Sequence, residues 1–380
     1  MDTIKILHCA DLHIGFDFAF LGRRAAARRA ELLQTLRTIA SLCIKEGVHL
    51  LLIAGDLFDS VRVPEETQRT VAEILAEIPE TGIAIAPGNH DPLTPDSPYL
   101  REALWPASVR ILKDPRESCV LADLPVRLWG AGFTAPYCRQ TLLPCAAGFG
   151  EEDGRIQICV QHGDVVGNGQ SSDYNPLTPA SLAQSGMDYV ALGHVHKRSE
   201  VLRAGRTWYA YSGTPEGHGF DEQGPKGVYL GAVTRGACDL TFRETGRRRF
   251  EALSVDVSGA DGSLAAARLV KDALHAAFGD TGGEHLYKVQ LTGTVGENVR
   301  LNADTMRAAL GDDVYFLKLR DKTELAEEAE PSPDTLRGRF VRLMRARIEQ
   351  ATKEEERERL RLALQLGLKA LADEVTYHAD

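Results

Sequence analysis

Five places in the chain set metal-binding or proton-transferring side chains at the end of an apolar run: Asp11-Leu12-His13, Gly55-Asp56 followed by Asp59, Gly88-Asn89-His90-Asp91, His162-Gly163-Asp164 and Gly193-His194-Val195-His196. Residues two apart on an extended chain point the same way, so Asp11 with His13, and His194 with His196, can approach one centre. Imidazole, carboxylate and carboxamide donors without thiolate favour Mn²⁺, Fe²⁺ or Zn²⁺ over copper or an iron–sulfur cluster. Asp11, His13, Asp56, Asn89, His162, His194 and His196 are too many donors for one tetrahedral ion, whereas two ions sharing a bridging carboxylate would use them all. Such a pair, about 3.5–4 Å apart, generates hydroxide at neutral pH and clamps both oxygens of an in-line displacement at phosphorus. Each stretch alone has a plainer meaning, since Gly-Asn-His-Asp is also what a turn after a strand is made of. The recurrence at successive strand ends is what points to a metal site.

The elements that must hold these groups follow from the hydrophobic pattern. Short runs rich in Ile, Val and Leu at 4–9, 49–54, 82–86, 126–133, 156–161 and 188–193 read as buried strands. Between the first two, Leu32, Leu33, Leu36, Ile39 and Leu42 recur at helical spacing and Gly47 marks a stop; a second helix follows Pro64. Strands alternating with helices imply a layered α/β core, whose ligands belong at the carboxyl ends of the strands. Further strands in YAYSGT, GVYLGAV and CDLTFRE carry the first domain to about residue 250. From 251 to 320 the order strand, helix, strand, helix, strand predicts a compact second domain. The acidic, proline-containing segment 321–334 reads as a linker. Beyond it, 335–380 carries two amphipathic helices, with Leu336, Phe340, Met344 and Ile348 on one stripe and Leu360, Leu364, Leu368 and Leu371 on the other. Alone they cannot bury those stripes, so they either fold back onto the body or wait for a partner.

Composition bounds the function. With 380 residues, 43% hydrophobic and 26% charged, the chain is long enough for two or three ordinary globular units and is neither disordered nor fibrous. No run of about 18 apolar residues and no leader pattern appear, so no membrane association is expected and the expected compartment is the cytoplasm. The seven cysteines are scattered with no CxxC pair, which fits reduced thiols packed as small hydrophobes. A net charge of −10 argues against a surface that grips polyanions everywhere, but carboxylates at a metal site are neutralised by the metal, and local basic patches exist at 23–29 and 247–249.

Taken in order and with these separations, DLH, GDLFD, GNHD, HGD and GHVH resemble the calcineurin-like metallophosphoesterase superfamily over residues 1 to about 245, and within it the SbcD-type DNA-repair nucleases. The stretch SGTPEGHGFDEQGPKG at 212–227, the second domain and the helical pair support that choice. Ser60 and Val61 after Asp59, and Asp91 after His90, depart from the protein Ser/Thr phosphatases of the superfamily. The resemblance implies an α/β/β/α sandwich with a small α+β cap domain at 251–320 and a C-terminal helical pair. It implies one ion on Asp11, His13, Asp56 and His196, and a second on Asp56, Asn89, His162 and His194, with Mn²⁺ foremost. His90 would face the scissile phosphate, and Asp59 would orient His90. Asp91 and Asp164 are expected to hold loops. The implied activity is that of a DNA exonuclease or endonuclease subunit, with the cap and basic patches guiding the strand, an SbcC-like ATPase on the terminal helices, and a possible homodimer. Two readings stand beside it: a phosphodiesterase or phosphatase of small nucleotides using the same metals, and an inactive scaffold that docks an ATPase. The full ligand set argues against the scaffold.

Overall fold

The computed structural model describes residues 2–371 except 116, 122–123, 145–153, 168, 297–298 and 326–334. The chain divides into two compact units, Met1–Phe250 and Glu251–Asp380.

Unit one contains β1 (Thr3–Cys9), α1 (Ala25–Glu46), β2 (Leu50–Ile53), α2 (Glu65–Ala76), β3 (Gly82–Ile85), β4 (Val109–Ile111), β5 (Ser118–Val120), β6 (Val126–Gly130), β7 (Ile156–His162), α3 (Pro179–Gln184), β8 (Tyr189–Gly193), β9 (Leu202–Ala204), β10 (Thr207–Tyr211), β11 (Gly227–Thr234) and β12 (Ala237–Glu244). Two six-stranded sheets result, ordered β12-β11-β1-β2-β3-β4 and β5-β6-β7-β8-β10-β9. The strands β1 to β4 run parallel, as do β6, β7, β8 and β10. Alternation assigns the faces: Ile4, Ile6, Leu50, Leu52 and Ala84 of the first sheet meet Leu128, Ile158, Val160, Tyr189 and Ala191 of the second in one core. On the opposite face of the first sheet, Leu51, Ile53, Ile83 and Ile85 are equally buried, and α1 and α2 supply matching apolar stripes in Leu32, Leu36, Ile39, Val71 and Leu75. Leu182 of α3 packs with Cys159, Val190 and Leu192 on the outside of the second sheet. Helix, sheet, sheet and helix layers therefore make the α/β sandwich. A polar pin joins the sheets at β1, where His8 pairs with the Tyr189 hydroxyl at 2.8 Å and the Leu192 carbonyl at 3.2 Å.

Unit two contains β13 (Phe250–Asp256), α4 (Ser263–Phe278), β14 (Leu286–Thr292), β15 (Thr294–Val295), α5 (Ala303–Leu310), β16 (Phe316–Asp321), β17 (Glu324–Leu325), α6 (Leu336–Gln350) and α7 (Glu354–Ala370). Its three-stranded sheet, β13-β14-β16, packs Val255, Tyr287, Val289, Leu291 and Leu317 against Ala266, Val270 and Leu274 of α4 and Met306 of α5. Residues 321–325, where the acidic segment begins, close β16 and form β17, which pairs with β15; residues 326–334 lie outside the described residues. Helix α6 lies against α7 and buries Val341 and Met344, while Leu336, Leu343 and Leu362 are exposed. Among the described residues no helix is long and apolar enough to cross a membrane.

Candidate metal centre

Parallel order brings the carboxyl ends of β1, β2, β3, β7 and β8 to one edge of the sandwich, and each delivers its residues there: Asp11 and His13, Asp56 and Asp59, Asn89 and His90, His162, and His194 with His196. The backbone turns off the strands in an unusual way. Asp11, His13, Asp56 and His194 all have positive φ, at 54°, 45°, 48° and 97°, a region that costs a non-glycine residue about 1–3 kcal/mol and collects at functional sites. Hydrogen bonds hold the strained loops, from Asp11 N–H to the Gly55 carbonyl and from His13 N–H to the Asp56 carbonyl, each at 3.0 Å. Two glycines permit the close approach. A Cβ at Gly55 would fall 2.2 Å from the His162 ring, and one at Gly88 would fall 2.1 Å from Asp56 Oδ1.

Every ligand expected from the sequence lies in this cluster. Ligand atoms of Asp11, His13 and His196 fall within 4.8 Å of one another, as do those of Asp11, Asp56 and His162. His162 Nε2 is 2.9 Å from Asn89 Oδ1 and 3.2 Å from Asp56 Oδ2; His194 Nδ1 is 3.1 Å from Asn89 Oδ1. Asp56 Oδ2 is also 3.7 Å from His13 Nε2, so one carboxylate faces both groups.

The donor set fits cations on its own chemistry. His13 directs Nδ1 to Asp59 Oδ1 at 3.2 Å, and His196 directs Nδ1 to Glu222 Oε1. Ionised carboxylates only accept, so both rings carry their proton on Nδ1, and the two Nε2 lone pairs face each other at 3.1 Å. A cation between acceptors removes that repulsion. Without one, protons take the place. Burial favours neutral His162, but the Asp56 carboxylate outweighs it and pushes the ring up to about 9. Burial likewise opposes charge on His196, yet the hydrogen bond to Glu222 lifts it to about 8. Asp56 is held far below the carboxylate range: burial alone would raise it, and the charges of His162 and His13 outweigh that effect. His13 and His194 are lowered, chiefly by burial.

Of the remaining candidates, the expected pairing of His90 with the Asp59 carboxylate changes, while Asp91 and Asp164 hold loops. His90 is half exposed, and its Nδ1 bonds the backbone carbonyl of Asp59 at 3.1 Å; the Asp59 carboxylate is 3.9 Å away and serves His13 instead. Asp91 is buried and accepts from Phe58 N–H, Gly88 N–H and the Tyr99 hydroxyl, so it fastens the loop beneath His90. Asp164 accepts from Ser172 at 2.5 Å and sits 3.5 Å from His194 Nε2. The basic patches are in part spent internally, although Arg23, Arg24 and Arg29 stay exposed. Arg28 is fully buried on Glu31 and Glu216, Arg248 pairs with Glu31, and Arg249 with Glu244. Glu222 and Thr214 were not singled out by sequence reasoning. Thr214 donates to the Asp11 carbonyl at 2.8 Å and its N–H to the His196 carbonyl at 3.2 Å. Their available signal was the 212–227 stretch, a glycine-rich loop carrying buried acids.

Comparison with known proteins gives a family model, described as calcineurin-like phosphoesterase, that matches residues 4–198. The chain is 30% identical to an uncharacterized metallophosphoesterase, YhaO, of Bacillus subtilis over 72% of this chain and 68% of that protein. It is 26% identical to the SbcD component of the nuclease SbcCD of Bacillus subtilis, over 58% of this chain and 64% of the relative. With the DNA double-strand break repair protein Mre11 of Aeropyrum pernix it shares 27% identity over 55% of this chain and 53% of the relative. For these last two the match spans less than two thirds of the relative's length.

Proposed function

We propose, for a chain that belongs to the calcineurin-like phosphoesterase family, that it is a two-cation phosphodiesterase acting on DNA. The observation that carries this reading is the sharing of one carboxylate. Asp56 Oδ2 faces His13 Nε2 and His162 Nε2, while Oδ1 accepts the backbone N–H of His90 at 2.9 Å, so the candidate proton donor is tied to the residue common to both ligand groups. Asp11, His13, Asp56 and His196 would hold one cation, and Asp56, Asn89, His162 and His194 the other, with Mn²⁺ the ion we favour. When bound, the pair supplies Lewis acidity at phosphorus and activates water. The Asp59 carbonyl can only accept, so His90 carries a proton on Nδ1 and exchanges protons with substrate through Nε2. Asp59 serves this site by fixing the His13 tautomer and, through its carbonyl, the His90 ring.

DNA is favoured because the relatives named above include a nuclease component and a DNA-break repair protein. On the same basis we assign an SbcC-like ATPase partner to the exposed leucines of α6 and α7, a cytoplasmic setting and a homodimer. The internal pairing of Arg28 and Arg248 favours the second reading, a phosphodiesterase or phosphatase of small nucleotides, by removing two of the cations that would guide a strand. One comparison separates the two: Mn²⁺-dependent turnover of linear double-stranded DNA, single-stranded DNA and a cyclic dinucleotide. We expect DNA cleavage, and cleavage of the dinucleotide alone would overturn the DNA assignment. His90→Ala should retain both ions and lose cleavage by about 10²–10⁴-fold; unchanged turnover would remove His90 from the mechanism.

A further inference from the structure

On the reading that this cluster holds divalent cations, we propose that Glu222 is a positioning residue for one of the two sites only, locking His196 in the orientation and tautomer that binds the ion shared with Asp11 and His13. Glu222 is buried, and both of its oxygens are committed. Oε1 accepts from His196 Nδ1, and Oε2 accepts the backbone N–H of His218 at 2.7 Å. The His218 ring ties this segment to the other ligand loop: its Nε2 donates to the carbonyl of Leu12, between Asp11 and His13, at 3.2 Å, while its Nδ1 lies 3.3 Å from Oε2 without a hydrogen bond. The carboxylate therefore cannot swing away without breaking its bonds to His196 and to the backbone of His218, whose ring holds the Asp11–His13 segment. Held this way, His196 has its Nε2 lone pair fixed against His13 Nε2.

The loop itself is anchored from behind. Glu216 is buried, taking Arg28 Nη2 at 2.6 Å and the Thr35 hydroxyl at 2.9 Å from α1, as well as the backbone N–H of Arg247. Thr214 adds its bonds to the Asp11 and His196 carbonyls. Among the described residues the other ligand group has no carboxylate held as closely on a ligand imidazole. His162 donates Nδ1 to the neutral carbonyl of Ala54 at 2.9 Å, and His194 is 3.5 Å from Asp164. An anionic partner both orients an imidazole and raises its affinity for a cation, and losing such a partner costs roughly 10–100-fold in metal affinity. Glu222 touches one ligand, so that loss should fall on one site.

The test is calorimetric titration of the full chain with Mn²⁺, with electron paramagnetic resonance of bound Mn²⁺ in parallel, on wild type, Glu222→Ala, Glu222→Gln and Glu222→Asp. Glu222→Gln keeps the packing but removes the charge and turns an N–H₂ toward one of the two donors. We expect one of two ions to weaken by about 10–100-fold in both variants, with the other unchanged and Glu222→Asp recovering part of the loss. Two ions at wild-type affinity, or equal weakening of both, would overturn the proposal, the latter because it marks a merely structural role. Should Glu222→Ala fail to fold, Glu222→Gln decides. Wild-type chain that binds two ions but cleaves no phosphodiester would sink the proposed function and leave Glu222's role standing; active wild type with unaltered Glu222→Gln binding would do the reverse.

Discussion

Residues 1–250 bury Asp11, His13, Asp56, His162, Arg28, Glu31, Glu216 and Glu222, whereas in residues 251–380 the buried polar side chains, among those described, are His285 and Thr323 alone. The second unit is held by packing of the usual kind, with Val, Leu and Tyr from one face of a sheet against Ala, Val, Leu and Met of two helices. The first unit has such a core too, between its sheets, but at the carboxyl edge it gives up apolar contact for charges that must be paired. Buried ion pairs contribute little net stability, and a broken one leaves an uncompensated charge. A site of this type is kept for what it binds, and the apolar layers below it carry the fold.

Three substitutions test that difference. Asp56→Asn removes the carboxylate common to both ligand groups and should cut metal-dependent cleavage by about 10³-fold or more, while the metal-free protein melts within a few degrees of wild type because His162, without the carboxylate that holds its proton, reverts to the neutral ring that burial favours. A large loss of melting temperature would instead make Asp56 a stabilising residue. Leu317→Ala, in the core of the second unit, should do the opposite. It should cost about 2–5 kcal/mol in denaturant unfolding, with turnover of a small chromogenic phosphodiester unchanged per folded molecule. The smallest effect is expected at His8, the polar pin between the sheets. Burial lowers its ring from the ordinary 6.5 to about 3. Between those values the unfolded chain binds one proton more than the folded one, so stability is complete above 6.5 and falls as pH drops toward 3, by at most ~1.4 kcal/mol per pH unit from this group. Denaturant unfolding across that range, in wild type and His8→Gln, should show the variant with the shallower slope. Equal slopes would assign the acid sensitivity to other groups.

Much of this arrangement was legible beforehand, and for local reasons. The strand at 156–162 announces itself by its apolar residues, and His162 follows directly as its last member. Helix α1 stops where Gly47 takes φ 61°, as the sequence suggests. Its buried stripe, however, runs through Leu32, Leu36, Ile39 and Cys43, with Leu42 only half-buried. In α6 the buried residues include Val341 and Met344 while Leu336 is exposed, because which apolar side chains pack depends on the neighbouring surface as well as on spacing. The arginines of RRAAARR divide for the same reason: Arg28 turns inward to Glu31 and Glu216, while Arg23, Arg24 and Arg29 stay exposed.

The sequence by itself determined the inventory of donors, their order and their attachment to strand ends, since side-chain alternation and helical spacing are properties of neighbouring residues. Tertiary structure alone decided which acceptor each imidazole uses: Asp59 for His13 and a backbone carbonyl for His90, and Glu222, 26 residues distant, for His196. A hydrogen bond requires its atoms within about 3 Å and in line, and that condition depends on where whole segments come to rest.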